Sequence, residues 1–148
     1  ASTLDAPLVP PTLNIKPLSD NDYDDILCKW WKDWKWTAPA KDFLPDMGYM
    51  VYYNDKPICA GYMYVTNSNV VLLESYLNEW IISSFEFKDR KIRKEAIFML
   101  IQTITSLSAN LGKKYVYSLL KSKSLIDIYQ EIGYLKGDSN TQEMIKKL

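Results

Sequence analysis

The sequence predicts an α+β fold in three layers, α/β/α, and three observations carry that prediction. Residues 79–134 read as strand, charged turn, long helix, strand and short helix, a βαβα unit. Residues 47–76 read as alternating strand-like runs broken by turn residues. Before them lies a helical stretch whose tyrosine and tryptophan residues recur at helical spacing.

Taken in order, residues 1–12 are small, polar and proline-rich (Pro7, Pro10, Pro11) and read as an extended N-terminal arm. Residues 13–148 read as one domain, in keeping with a length of 148. The run 13–18 alternates as a short strand, and Pro17 keeps it short or at an edge. Ser19 is an N-cap with Asp22 three residues on. Aspartates crowd the start of that helix, and Lys29, Lys32 and Lys35 follow at its end, which suits the helix dipole. Tyr23, Ile26, Leu27, Trp30, Trp31 and Trp34 share one face, either packing on a sheet or forming a ligand platform. Trp36 and Phe43, near Pro39 and Pro45, are placed on a substrate-facing loop.

The runs 47–53 and 58–66 form a hairpin across Asn54-Asp55-Lys56-Pro57. Gly61 within the second run marks a bulge or a close backbone approach. A further strand covers 70–76 and leads to one at 80–84. A charged turn, 85–93, precedes a helix over 94–111. That helix directs Ala96, Met99, Leu100, Thr103, Ile104, Leu107 and Leu111 inward, and Gly112 stops it. A strand at 115–120 runs into a short helix with Ser124 and Asp127 as a capping box and Gly133 at its end. After a turn at 138–140, residues 141–148 read as a last strand.

Composition excludes several function classes. The chain has no histidine, which removes Ser-His-Asp and Cys-His triads and histidine-ligated metal. Cys28 and Cys59 fall in different elements and are expected as reduced thiols, so no metal site is expected. Zero formal net charge argues against nucleic acid as the main partner. Apolar runs fall far short of the ~20 residues that span a bilayer, and no secretory signal is read, so the expected location is the cytoplasm. Only 5 glycines are present, few for a chain whose anion-binding turns would use them.

Tyr129-Gln130-Glu131-Ile132-Gly133-Tyr134 resembles the Tyr-x-x-x-Gly-aromatic signature of the GNAT superfamily of acyl-CoA N-acyltransferases. Residues 82–87 followed by 90–100 resemble that family's strand, pyrophosphate-binding turn and helix. The order of elements is similar from Leu13 onward. The family's turn reads Arg/Gln-x-x-Gly-x-Gly/Ala, and the match here is Lys91-Ile92-Arg93-Lys94-Glu95-Ala96, with Lys94 in place of glycine. Ser122 stands where many members carry asparagine. The resemblance implies a mixed, mostly antiparallel sheet of six or seven strands, splayed in the middle and flanked by about four helices.

It also implies direct transfer of an acetyl group from acetyl-CoA to an amine on a small molecule or peptide. Tyr129 would then be the acid toward the leaving thiolate, and Glu79 the base, with Glu74 second. Backbone amides near Ile82 and Ser84 would bind the acyl carbonyl and pantetheine. Lys91, Arg93, Lys94, Glu95 and Ala96 would meet the pyrophosphate, and Ser122 the pantetheine arm. The alternative is a module that keeps the fold with a degenerate cofactor site, favoured by the missing glycines and asparagine. Either would be a monomer or homodimer.

Overall fold

A computed structural model describes residues 12–73 and 81–148 of the chain. The strands are β1 (Leu13–Pro17), β2 (Gly48–Tyr53), β3 (Lys56–Tyr62), β4 (Tyr64–Val65), β5 (Val70–Leu72), β6 (Ile81–Ser83) and β7 (Tyr115–Tyr117). The helices are α1 (Cys28–Asp33), entered through a π-helical turn at Tyr23–Leu27, then α2 (Arg90–Asn110) and α3 (Lys123–Ile132). A 3-10 turn at Lys41–Phe43 lies between α1 and β2.

Pairing divides the strands into a four-stranded sheet, β1-β2-β3-β6, and a three-stranded sheet, β4-β5-β7. Every pairing in the first is antiparallel. In the second, β5 pairs antiparallel with β4 and parallel with β7. Only Met63 separates β3 from β4, and its amide donates to the Met47 carbonyl at 3.0 Å. Gly61 faces Ile81 across one sheet, while Tyr64 faces Leu72 across the other. The two sheets are therefore halves of one layer that part at Met63. β6 and β7 end up in different halves, and among the described residues no ladder joins them. This is the mixed sheet, open in the middle, that the resemblance implied.

Helices cover both faces. α2 and α3 bury Leu100, Ile101, Ile104, Leu125 and Ile128 against Val51, Cys59 and Val71. The π-helical turn and α1 bury Leu27, Trp30 and Trp31 against Met50, Ala60, Tyr62 and Ile82 on the other side. Trp30 and Trp31 thus pack the helix, as the amphipathic reading required. Gly61 serves close approach, because a Cβ there would lie 3.1 Å from Leu100 Cδ2. The register shift falls instead at Val51/Tyr52 in β2.

Three sequence expectations need correction. α2 begins at Arg90, so part of the expected charged turn is its first turn. Leu111, expected inward, is 51% exposed because it caps the helix end. Residues 141–148 form no strand. Met144 and Ile145 are adjacent, so an extended chain would point them to opposite faces and neither face could bury both. The expected arm (apart from Thr12), Glu74, Glu79 and Trp80 lie outside the described residues.

Candidate functional site

Among the described residues no ladder joins β6 to β7, so the free edge of β6 and the end of β7 border the opening in the layer. The Ser84 amide donates to the Ile58 carbonyl at 2.7 Å, which extends the β3–β6 ladder. Antiparallel ladders alternate, so the amides of Ile82 and Ser84 turn toward β3 and those of Ile81 and Ser83 toward the open edge. The pair that sequence reasoning assigned to the acyl group is the pair committed to the sheet. A single-residue shift in parity separates the two assignments, and only the ladder register reveals it.

Across the gap, Leu73 continues the β5–β7 pairing by donating to the Tyr117 carbonyl at 2.9 Å. Just beyond β7, the Ser118 hydroxyl donates to the Leu73 carbonyl, and its Oγ lies 3.1 Å from the Tyr129 hydroxyl. Tyr129 therefore presents its hydroxyl where β5 and β7 end. Its ring is buried and meets the Tyr134 ring edge-on at 4.7 Å. Gly133 adopts φ +115°, the Tyr134 amide donates to the Tyr129 carbonyl, and the Gly133 amide donates to the Gln130 carbonyl. This is a Schellman cap, and it accounts physically for the spacing Tyr-x-x-x-Gly-Tyr. Burial pushes the Tyr134 phenol up, opposed by its hydrogen bond with Thr105.

The turn from β6 to α2 is clamped. Arg93 Nη2 donates to the Ser84 carbonyl at 2.9 Å and also to the Phe87 carbonyl. The guanidinium lies 5.9 Å from the Trp34 ring, whose Nε1 donates to the Ser83 carbonyl at 2.7 Å. Phe85 meets the same ring edge-on at 4.9 Å, and Trp36 stacks on it at 5.6 Å. Burial, and then the charge of Arg90, pull the Arg93 pKa down. Arg93 thus faces inward onto carbonyls rather than outward toward a phosphate.

At the start of α2, Asp89 is the N-cap and accepts from the Ile92 amide at 3.1 Å. No acid follows in the first turn. Lys91 and Lys94 are exposed, and Lys94 forms a 3.5 Å ion pair with Glu131 of α3. Lys91, Lys94, Glu95, Phe98 and Glu131 line a groove of about 320 Å³ between α2 and α3. Lys91 and Glu95, with Asp89 and Ile92, also border a larger groove of about 690 Å³ beside Tyr53. Ala96 is buried in the core. Ser122, not Ser124, caps α3, accepting from the Leu125 amide at 3.4 Å. Sequence reasoning missed Asp89 and Ser118, and read Trp34 only as part of the aromatic face. Of the two missed, only Asp89 carried a signal, an aspartate just before a helical run. Among the described residues no cluster of metal-ligating side chains occurs, and no helix is long and apolar enough to cross a membrane.

No protein-family model and no curated protein matches the chain by sequence. Solved structures do match in shape. An aminoglycoside N-acetyltransferase in complex with CoA superposes with a TM-score of 0.58 at 16% identity, covering 94% of this chain and 99% of that one. A probable acetyltransferase from meticillin-resistant Staphylococcus aureus gives 0.62 at 12%, covering 93% and 100%. Another probable acetyltransferase gives 0.64 at 13%, covering 90% and 99%. At these identities the likeness is one of fold, and the chain has the fold of the GNAT acetyltransferases.

Proposed function

We propose that this chain transfers an acetyl group from acetyl-CoA to an amine on a small molecule or peptide. The observation that supports this most is the separation of β6 from β7, with the open-edge amides of Ile81 and Ser83 on one side and the Tyr129 hydroxyl on the other. A thioester arm laid in that gap could accept hydrogen bonds from the edge. Exposed Lys91 and Lys94 beside the α2–α3 groove are the cations suited to the diphosphate, and Ser122, the N-cap of α3, is the residue we assign to the pantetheine arm. Glu95 shares that groove wall, while Ala96 serves packing beneath it. The amine nitrogen attacks the carbonyl carbon, the C–S bond breaks, and Tyr129 protonates the leaving sulfur. Glu79, with Glu74 as alternative, takes the proton that the amine sheds. The CoA-bound and aminoglycoside-acetylating neighbours support the donor and acceptor classes. Calorimetry with acetyl-CoA, followed by thiol release in the presence of simple amines, tests the reading. Saturable heat and thiol release are expected, and no heat at millimolar ligand overturns it.

A second reading, a binding module that retains the fold, is favoured by two observations. Asp89 places a carboxylate at the helix N-terminus where a phosphate would sit. The Schellman cap also explains the Tyr129 signature without chemistry. Asp89→Asn decides between them. A donor site gains severalfold in CoA affinity when that repulsion is removed, whereas a module stays silent.

A further inference from the structure

We infer that Ser118 is a positioning residue that holds the Tyr129 phenol in its acid-donating orientation and then stabilises the phenolate. The inference rests on the proposed reading of Tyr129 as the acid. A serine hydroxyl has one hydrogen. In the structure the Ser118 hydroxyl is the donor toward two acceptors, the Leu73 carbonyl and the Tyr129 oxygen at 3.1 Å, so its one hydrogen is shared between them. Ser118 is anchored through Leu73, whose own amide is held by the Tyr117 carbonyl at 2.9 Å. The phenol is thereby fixed by the two strand ends beside the gap.

The arrangement has a second state. As the C–S bond breaks, the sulfur takes the electron pair and the proton from Tyr129. The phenolate left behind is a stronger acceptor than the phenol oxygen was. The serine hydroxyl rotates off the Leu73 carbonyl and donates to the phenolate across the same short separation. Water then returns a proton to Tyr129, balancing the one the amine lost. No atom in the step changes oxidation state. Loss of the serine hydroxyl removes a donor to the charged form, so the phenol pKa rises.

The test uses Ser118→Ala, Ser118→Thr and Tyr129→Phe in the full chain. The Tyr129 phenol is read by ultraviolet difference titration of each form against Tyr129→Phe. Its titration is expected about one pH unit higher in Ser118→Ala, and restored in Ser118→Thr. Where wild type turns over, kcat falls about tenfold in Ser118→Ala with KM for the thioester unchanged. The alkaline limb of its pH profile moves up with the phenol, and Ser118→Ala adds nothing in the Tyr129→Phe background. An unshifted phenol titration in a folded Ser118→Ala overturns the inference. Unchanged turnover in Tyr129→Phe sinks the acid assignment itself while leaving the Ser118 contact measurable.

Discussion

Arg93→Ala separates a residue that shapes the β6–α2 turn from one that holds phosphate. The substitution removes a guanidinium that serves both the Ser84 and the Phe87 carbonyls. Hydrogen bonds from a charged donor contribute about 1.5–3 kcal/mol each, so the gross loss is roughly 3–6 kcal/mol. Two terms offset part of it. A cation leaves the first turn of a helix, which returns about 0.3–1 kcal/mol. The buried Arg93 Nε, which has no hydrogen-bond partner among the described residues, is also relieved of its desolvation. The net destabilisation is then about 2–4 kcal/mol, or a midpoint lowered by roughly 5–15 °C for a chain of this size. Thermal and urea unfolding measure it. Arg93→Lys falls between, since lysine keeps the charge but lacks the fork that serves two carbonyls. CoA affinity, measured where the variant remains folded, stays within about twofold, well under 1 kcal/mol. An unaltered midpoint combined with a tenfold loss of CoA affinity would refute the assignment and return Arg93 to the phosphate.

Gly61→Val is expected to cost about 1–3 kcal/mol in urea unfolding, because the added carbons meet Leu100 and Ile81 in a closed interface. Burial pushes the Cys59 thiol far up, against a smaller pull from Arg93. A folded pKa raised above the unfolded one contributes stability that is complete at neutral pH. That stability is lost as pH rises past the unfolded thiol value of about 8.5, at up to ~1.4 kcal/mol per pH unit. Cys59→Ala should flatten the first part of that alkaline decline, before Tyr23 and Tyr62, both pushed up to about 12, begin to contribute. Lys91→Glu should stabilise the free protein by about 0.3–1 kcal/mol through the helix dipole, read by unfolding, and weaken CoA binding about tenfold, read by calorimetry.

Much of the fold was legible because its elements carry local signals. Apolar spacing in 96–104, glycines after α2 and α3, and turn residues between β2 and β3 each act within a few residues. What escaped depends on partners far along the chain. The start of α2 was placed four residues late because Arg90, Lys91 and Arg93 are poor first-turn residues, and their charges masked Asp89 as the cap. The choice of edge amides depends on which residue of β3 faces Ser84, and no pattern within β6 encodes that. Ser118 gains its role only when β7 meets β5 and α3 folds back over both. The signature at 129–134 was read both as chemistry and, through Gly133, as a helix end, and the cap geometry gives the second reading its physical form. The Tyr129 and Tyr134 rings meet because Gly133 reverses the chain between them.

The start of α2 therefore holds two opposed electrostatic features, and their balance decides the function. Four of its first five residues are cations, Arg90, Lys91, Arg93 and Lys94, set at the positive end of a 21-residue helix. Such placement costs stability unless something negative offsets it. Arg93 is relieved by main-chain carbonyls and Lys94 by Glu131. Asp89 offsets part of the remainder through the Ile92 amide. Arg90 and Lys91 are left facing solvent, which for a scaffold alone is a loss without return. For a site that receives a diphosphate the same two charges are the means of binding, and Asp89 holds the helix end until the ligand arrives. The two readings thus predict opposite fates for one variant. Lys91→Glu in a bare scaffold gains stability and forfeits nothing, whereas in a donor site the gain in stability comes with the loss of CoA.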